Sequence, residues 1–242
     1  LQAYGNASGT NRECAGAAEE YASMVDKLDR QVGAIVDQVR KLGLDKRTII
    51  IFSSDNGHEL YYRTDKGRGR GPDCHGGVLD GTGELLDVFR GSRGRVGPNN
   101  AMANLAGLKW TSHEGGIRVP LIISWPGTLP HGKVCHSLVA NYDHMASFAD
   151  LAGIRMPEGK DAVSYMDILS GNSSRQRDYV VVDHTVITGD GWKLTQKQNK
   201  PFLFHIGRDP EERNNLAGTR KDQLEKLRAI YRKEVGSPRK DR

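Results

Sequence analysis

The sequence predicts an α/β fold followed by a small antiparallel sheet and a helix, and three observations carry that prediction. Thr48 to Phe52 is an unbroken β-branched and aromatic run, which fits a strand buried on both faces better than an alternating, half-exposed one. A long amphipathic pattern precedes it, the combination expected of a crossover unit. After Gly171 the texture changes to short β-rich runs joined by tight turns, closed by one charged amphipathic stretch. The expected division is therefore 1–170 for the α/β core and 171–242 for a small C-terminal α+β subdomain.

Taken in order, residues 1–12 are rich in Gly, Asn and Ser and read as a loop. From Ala15 to Leu42 the apolar residues Tyr21, Met24, Val25, Leu28, Val32, Ile35, Val36, Val39 and Leu42 recur at three- and four-residue steps, one face of a long helix. Gly43 supplies its stop. The strand that follows turns abruptly polar at Ser53-Ser54-Asp55-Asn56-Gly57-His58-Glu59, just past its carboxyl end, where open α/β sheets place ligands. Asp55 and Asn56 offer two hard oxygen donors and no sulfur, a pair suited to calcium or magnesium rather than zinc or copper. The same tripeptide with Gly57 also favours a plain turn.

Residues 60–108 carry many glycines and scattered arginines, a long irregular excursion of the kind that overhangs a site. Glycine beside arginine also suits nucleic acid, but Asp65, Asp73, Asp80, Glu84 and Asp87 interleave and stacking aromatics are nearly absent, which argues against that partner. Next, Lys109, His113, Glu114 and Arg118 crowd around Gly115-Gly116 immediately before a short buried strand that begins at Leu121 and is ended by the Pro126-Gly127 turn. Glu114 and Arg118 read as an internal ion pair that fixes this loop. Asn141 to Gly153 reads as a helix capped by Asp143, with Met145, Phe148 and Leu151 inward. Beyond it, strands are expected at 178–183, 192–195 and 202–206. A last helix is expected at 219–235, with Thr219 as cap and Leu224, Leu227, Ile230 and Tyr231 inward.

Composition sets wide bounds. The 242 residues, 27% charged and 37% hydrophobic, are ordinary for a globular protein, and a net charge of +5 permits an anionic partner without requiring one. There is no apolar run of membrane-spanning length. Cys14, Cys74 and Cys135 fit one disulfide plus a free thiol or three reduced thiols, and they lack the four-ligand spacing of a zinc site.

The motifs Ser53-Ser54-Asp55-Asn56-Gly57-His58-Glu59, Lys109 ahead of Glu114-Gly115-Gly116-Ile117-Arg118-Val119-Pro120, Trp125-Pro126-Gly127, Leu151-Ala152-Gly153, Trp192-Lys193-Leu194 and Asp209-Pro210-Glu211-Glu212-Arg213-Asn214-Asn215-Leu216 follow one another in the order found in type I sulfatases. From Tyr21 to Leu216 the chain resembles the C-terminal half of such an enzyme. The resemblance implies an alkaline-phosphatase-like α/β core with an added antiparallel subdomain. It also implies a calcium ion, or magnesium, that holds a sulfate ester for hydrolysis, with a sulfated small molecule or glycan as partner. Asp55 and Asn56 would be metal ligands and Lys109 a catalytic contact to the sulfate. His58 and His113 lie close to these positions in sequence, which fits a catalytic role for His58 and a substrate contact for His113, or a hydrogen-bonded structural histidine in each case. The family's formylglycine nucleophile arises in a Cys/Ser-x-Pro-x-Arg motif that none of the three cysteines matches, so it is expected on a missing N-terminal portion, itself a partner of this chain. Two rivals share the fold: an inactive remnant that binds sulfated glycans, and a phosphatase or phosphonate hydrolase. The resemblance places the family in periplasmic, secreted or lysosomal compartments.

Overall fold

The computed structural model describes residues 12–57, 105–106, 109, 111–171, 177–197 and 200–236. The chain divides into two units. One is drawn from Leu1–Asp45, Phe52–Ile122 and Pro210–Arg213, the other from Lys46–Ile51, Ile123–Asp209 and Asn214–Arg242.

Helix α1 spans Arg12–Lys41, close to the extent that its periodicity predicts. Gly43, at φ 66°, lies just past its end in the left-handed region that glycine enters without steric cost. Among the described residues the predicted inward face is not buried. Met24, Val25, Leu28, Ile35 and Leu42 are exposed, and Val32, Val36 and Val39 are half-buried. An apolar stripe at helical spacing records that a face needs covering, not which segment covers it.

Strands β1 (Ile50–Ser53) and β2 (Leu121–Ser124) pair in a two-stranded sheet. Both are less buried than their composition predicts. Every residue of β1 is half-buried, and along β2 half-buried and exposed positions alternate, with Ile122 62% exposed. Among the described residues the expectation of a strand buried on both sides is therefore not met. Between them lies the one-turn helix α2 (Glu114–Ile117). No helix among the described residues is long and apolar enough to cross a membrane.

Helix α3 (Asp143–Leu151) forms where expected and ends ahead of Gly153, but its buried face is a different one. Met145, Phe148 and Leu151 are exposed, whereas Asp143, Ala146 and Ser147 are buried. Asp143 is not the cap but the first helical residue. Its carboxylate accepts hydrogen bonds from the Ala140 and Val163 backbone N–H groups at 2.8 and 2.9 Å and pairs with Arg177. Ser147 Oγ donates to the Asp143 carbonyl and accepts from the Tyr165 N–H, so polar bonds, not apolar contacts, seat this face. Burial of the Tyr165 and Tyr142 phenols pushes the pKa of each upward. A short helix α4 (Met166–Ser170) follows and ends at Gly171, φ 78°.

The remainder forms a four-stranded antiparallel meander, β3 (Tyr179–Val182), β4 (Thr185–Thr188), β5 (Trp192–Lys197) and β6 (Lys200–His205), with helix α5 (Lys221–Glu234). Strand β4 is one that the sequence pattern does not announce. Its hairpin turns at Asp183, φ 51°, and aspartate enters the left-handed region without the glycine that marks most such turns. Gly189-Asp190-Gly191 makes the next turn, as expected. Val186, Leu194 and Leu203 from the sheet pack with Leu224, Leu227 and Tyr231 of α5 to make one core. Thr219 does not cap α5: its hydroxyl donates to the Leu216 carbonyl, and Arg220 occupies the cap position. Asn215 ties the preceding loop to β6, accepting from the Leu203 N–H at 3.0 Å and donating to the Pro201 carbonyl at 3.2 Å.

Candidate sulfate and metal site

The polar tail of β1 folds into a compact turn. Ser54 Oγ donates to the Asn56 carbonyl at 2.8 Å, and Asn56 Nδ2 donates to the Gly57 carbonyl at 2.9 Å. With its nitrogen so engaged, the Asn56 amide keeps its oxygen for another partner. Asp55 is exposed and Asn56 half-buried.

Gly57 joins this turn to α2. Its N–H donates to the Gly116 carbonyl at 2.8 Å. A Cβ built on Gly57 would lie 1.8 Å from the Gly115 carbonyl oxygen and 2.8 Å from Gly116 Cα, so only glycine permits the two backbones to approach this closely. The lead-in to α2 is held in turn, since Gly115 N–H donates to the Ala106 carbonyl at 2.6 Å. Lys109, half-buried in a turn, lies on that lead-in.

His113 and Glu114 open α2. His113 Nδ1 is 2.9 Å from Glu212 Oε2, and the Glu114 N–H donates to Glu212 Oε1 at 2.7 Å. The Arg118 to Glu114 ion pair expected from the sequence is present but long, at 4.0 Å, with Glu114 buried and Arg118 exposed. Glu212 is the residue whose part in this arrangement the sequence does not reveal. The Asp209-Pro210-Glu211-Glu212-Arg213 motif draws the eye to it, but its partners are about a hundred positions away.

Of the expected site residues, the backbone ties bring the Asp55-Asn56 turn to the α2 segment that includes His113, and the Ala106 bond connects that segment with the stretch before Lys109. His58 and nearly all of the 60–108 excursion lie outside the described residues. Cys135 is an exposed free thiol.

The donor chemistry fits half of a hard-cation site. Asp55 and Asn56 present oxygen only, which matches calcium, but calcium takes about six to eight oxygens and two residues cannot complete that number. Among the described residues no cluster of three His, Cys, Asp or Glu side chains is placed to hold a metal.

Comparison with known proteins bears on the family and the fold. The family model described as Sulfatase matches residues 2–154, and that of N-sulphoglucosamine sulphohydrolase, C-terminal, matches residues 109–240. N-acetylgalactosamine-6-sulfatase of Sus scrofa is 25% identical over 248 residues, covering 87% of this chain and 41% of the relative. Arylsulfatase of Klebsiella aerogenes is 31% identical over 147 residues, covering 55% of this chain and 29% of that protein. The chain thus spans about two fifths of the length of the first of these relatives. Among solved structures, the PsFucS1 sulfatase of Pseudoalteromonas sp. matches with a TM-score of 0.59 at 20% identity, covering 89% of this chain and 43% of that one. A protein solved in complex with its substrate D-glucosamine-2-N,6-O-disulfate matches with a TM-score of 0.62 at 19% identity, covering 90% of this chain and 40% of its own. These likenesses establish the alkaline-phosphatase-like α/β fold. With a family model matched over more than half its length, the chain belongs to the sulfatase family.

Proposed function

We propose that this chain is the part of a sulfatase that holds the sulfate group, acting in the hydrolysis of a sulfate ester on a sulfated carbohydrate. The observation that carries the reading is the Gly57 to Gly116 hydrogen bond, which fastens the Asp55-Asn56 turn to the segment bearing His113. Two oxygen donors and, on the connected lead-in, one lysine suit the recognition of a divalent cation and a sulfate together.

In this reading Asp55 and the Asn56 amide oxygen hold a calcium ion, whose charge, when bound, neutralises sulfate oxygens. The Lys109 ammonium binds the sulfate and stabilises negative charge as it builds on the leaving oxygen. His113 contacts substrate, and His58 is placed by sequence to deliver a proton to the leaving alcohol. The formylglycine nucleophile of the family belongs to a segment outside this chain. The carbohydrate assignment rests on relatives whose names specify sulfated sugars.

The same reading assigns 1–170 to the sulfatase core and 171–242 to a small subdomain. It is supported by the β3–β6 and α5 core, which draws its residues wholly from beyond Gly171. The N-terminal portion of the enzyme is the partner proposed for the exposed apolar side of α1.

The test is a paired assay of an aryl sulfate and the matching aryl phosphate. The complete natural polypeptide is expected to hydrolyse the sulfate and spare the phosphate, while residues 1–242 alone turn over neither. Faster phosphate hydrolysis would move the chain to the phosphatase branch of the fold. Robust sulfatase activity from residues 1–242 alone would contradict the placement of the nucleophile.

A further inference from the structure

Glu212 sits in the Asp209-Pro210-Glu211-Glu212-Arg213 stretch, yet its carboxylate binds residues 98 and 99 positions earlier in the chain. The side chain is fully buried. Its backbone is left-handed, φ 50°, a conformation that residues with a Cβ rarely adopt and that persists only where surrounding contacts enforce it. The bonds to His113 and Glu114 are among the contacts around it.

With Glu212 ionised, the chemistry of the pair fixes a proton. An ionised carboxylate only accepts hydrogen bonds, and Oε1 already accepts from the Glu114 N–H. Oε2, 2.9 Å from His113 Nδ1, therefore requires that Nδ1 carry the hydrogen. In the neutral ring this leaves Nε2 as the nitrogen with a lone pair. The Glu114 bond also seats the first turn of α2, whose Gly115 and Gly116 reach Ala106 and Gly57. One buried carboxylate thus sets the position of the segment to which the Asp55-Asn56 turn is fastened.

We propose that Glu212 is a positioning residue of the sulfate site, holding His113 as its Nδ1–H tautomer and fixing the start of α2 so that the downstream motif is part of the site's framework. Its consequence for turnover rests on the sulfatase reading, whereas the tautomer assignment does not.

Glu212→Gln separates the two. Glutamine keeps the shape and an acceptor for the Glu114 N–H, but it turns an NH2 donor toward His113 Nδ1, which can then only accept. The experiment uses the complete natural polypeptide with 15N-labelled histidine, and two-bond proton–nitrogen correlations at alkaline pH, where an imidazole is neutral. The wild type is expected to show Nδ1–H at His113, and Glu212→Gln to show Nε2–H. On an aryl sulfate, kcat/KM of Glu212→Gln is expected to fall on the order of a hundredfold, as for a misplaced binding group. An Nε2–H tautomer in the wild type overturns the proposal, and this holds even if Glu212→Gln does not fold. A switched tautomer with kcat and KM both unchanged removes the positioning role. If the wild type hydrolyses no sulfate ester, the sulfatase reading fails, and the tautomer measurement alone decides for or against Glu212.

Discussion

Gly57→Ala is expected to destabilise the protein by about 3 kcal/mol or more. The added Cβ would meet the Gly115 carbonyl oxygen at 1.8 Å, the Gly115 carbonyl carbon at 2.7 Å and Gly116 Cα at 2.8 Å. All three are backbone atoms, so no side chain can rotate away. The turn after β1 and helix α2 must separate, and the Gly57 to Gly116 hydrogen bond breaks with them. Gly33 is the control. It lies in the interior of α1, where an added Cβ would meet no atom within 4 Å beyond its chain neighbours and the backbone of its own helix, and alanine there is expected to stabilise the helix by about 1 kcal/mol. Urea unfolding of both variants checks the contrast. Equal midpoints for Gly57→Ala and the wild type would mean that the close approach at Gly115 does not exist.

Lys109→Ala is expected to lower kcat/KM for a sulfate ester by about two to three orders of magnitude, roughly 3–4 kcal/mol of transition-state stabilisation. The cause is electrostatic. A sulfate ester develops negative charge on the leaving oxygen, and a fixed ammonium aimed at that charge acts more strongly in a half-buried loop than in water. Lys109 is half-buried, and its loop is tied to α2 through Ala106. Steady-state kinetics on the complete polypeptide give the answer. If the loss falls entirely on KM, Lys109 binds ground state and transition state alike. An unchanged rate would make it a surface lysine.

Much of this architecture is legible in the chain. The lengths of α1, α3 and α5, the position of β1 and the turn at Gly189-Asp190-Gly191 follow from periodicity and turn chemistry, which are local properties. Burial is less legible. The sides of α1 and α3 that the spacing marks as apolar are indeed apolar, but Met24, Ile35, Met145 and Phe148 are exposed in the chain itself. Helix α3 is instead seated through Asp143, whose partners Val163 and Arg177 lie 20 and 34 residues away. No helical repeat encodes such contacts. Strand β4 escapes sequence reasoning because its turn uses Asp183, not glycine.

The site shows the same division. Asp55, Asn56 and Lys109 stand out because hard oxygens and a lysine beside glycines are visible one residue at a time. In sequence, Gly57 marks no more than a turn after a strand, and its closer constraint, the approach of Gly115, appears only in three dimensions. The motif around Glu212 is recognisable, but the role of this residue is not, since nothing between residues 113 and 212 links the two in sequence.

In the proposed sulfatase, the turn after β1 supplies part of a calcium site that serves sulfate-ester hydrolysis. The most direct test follows aryl sulfate turnover by the complete natural polypeptide against free calcium, for the wild type and for Asp55→Ala. Wild-type turnover should vanish on chelation and return with calcium, and Asp55→Ala should need far more calcium or fail to recover. Turnover indifferent to chelation, or identical calcium curves for the two proteins, would contradict it.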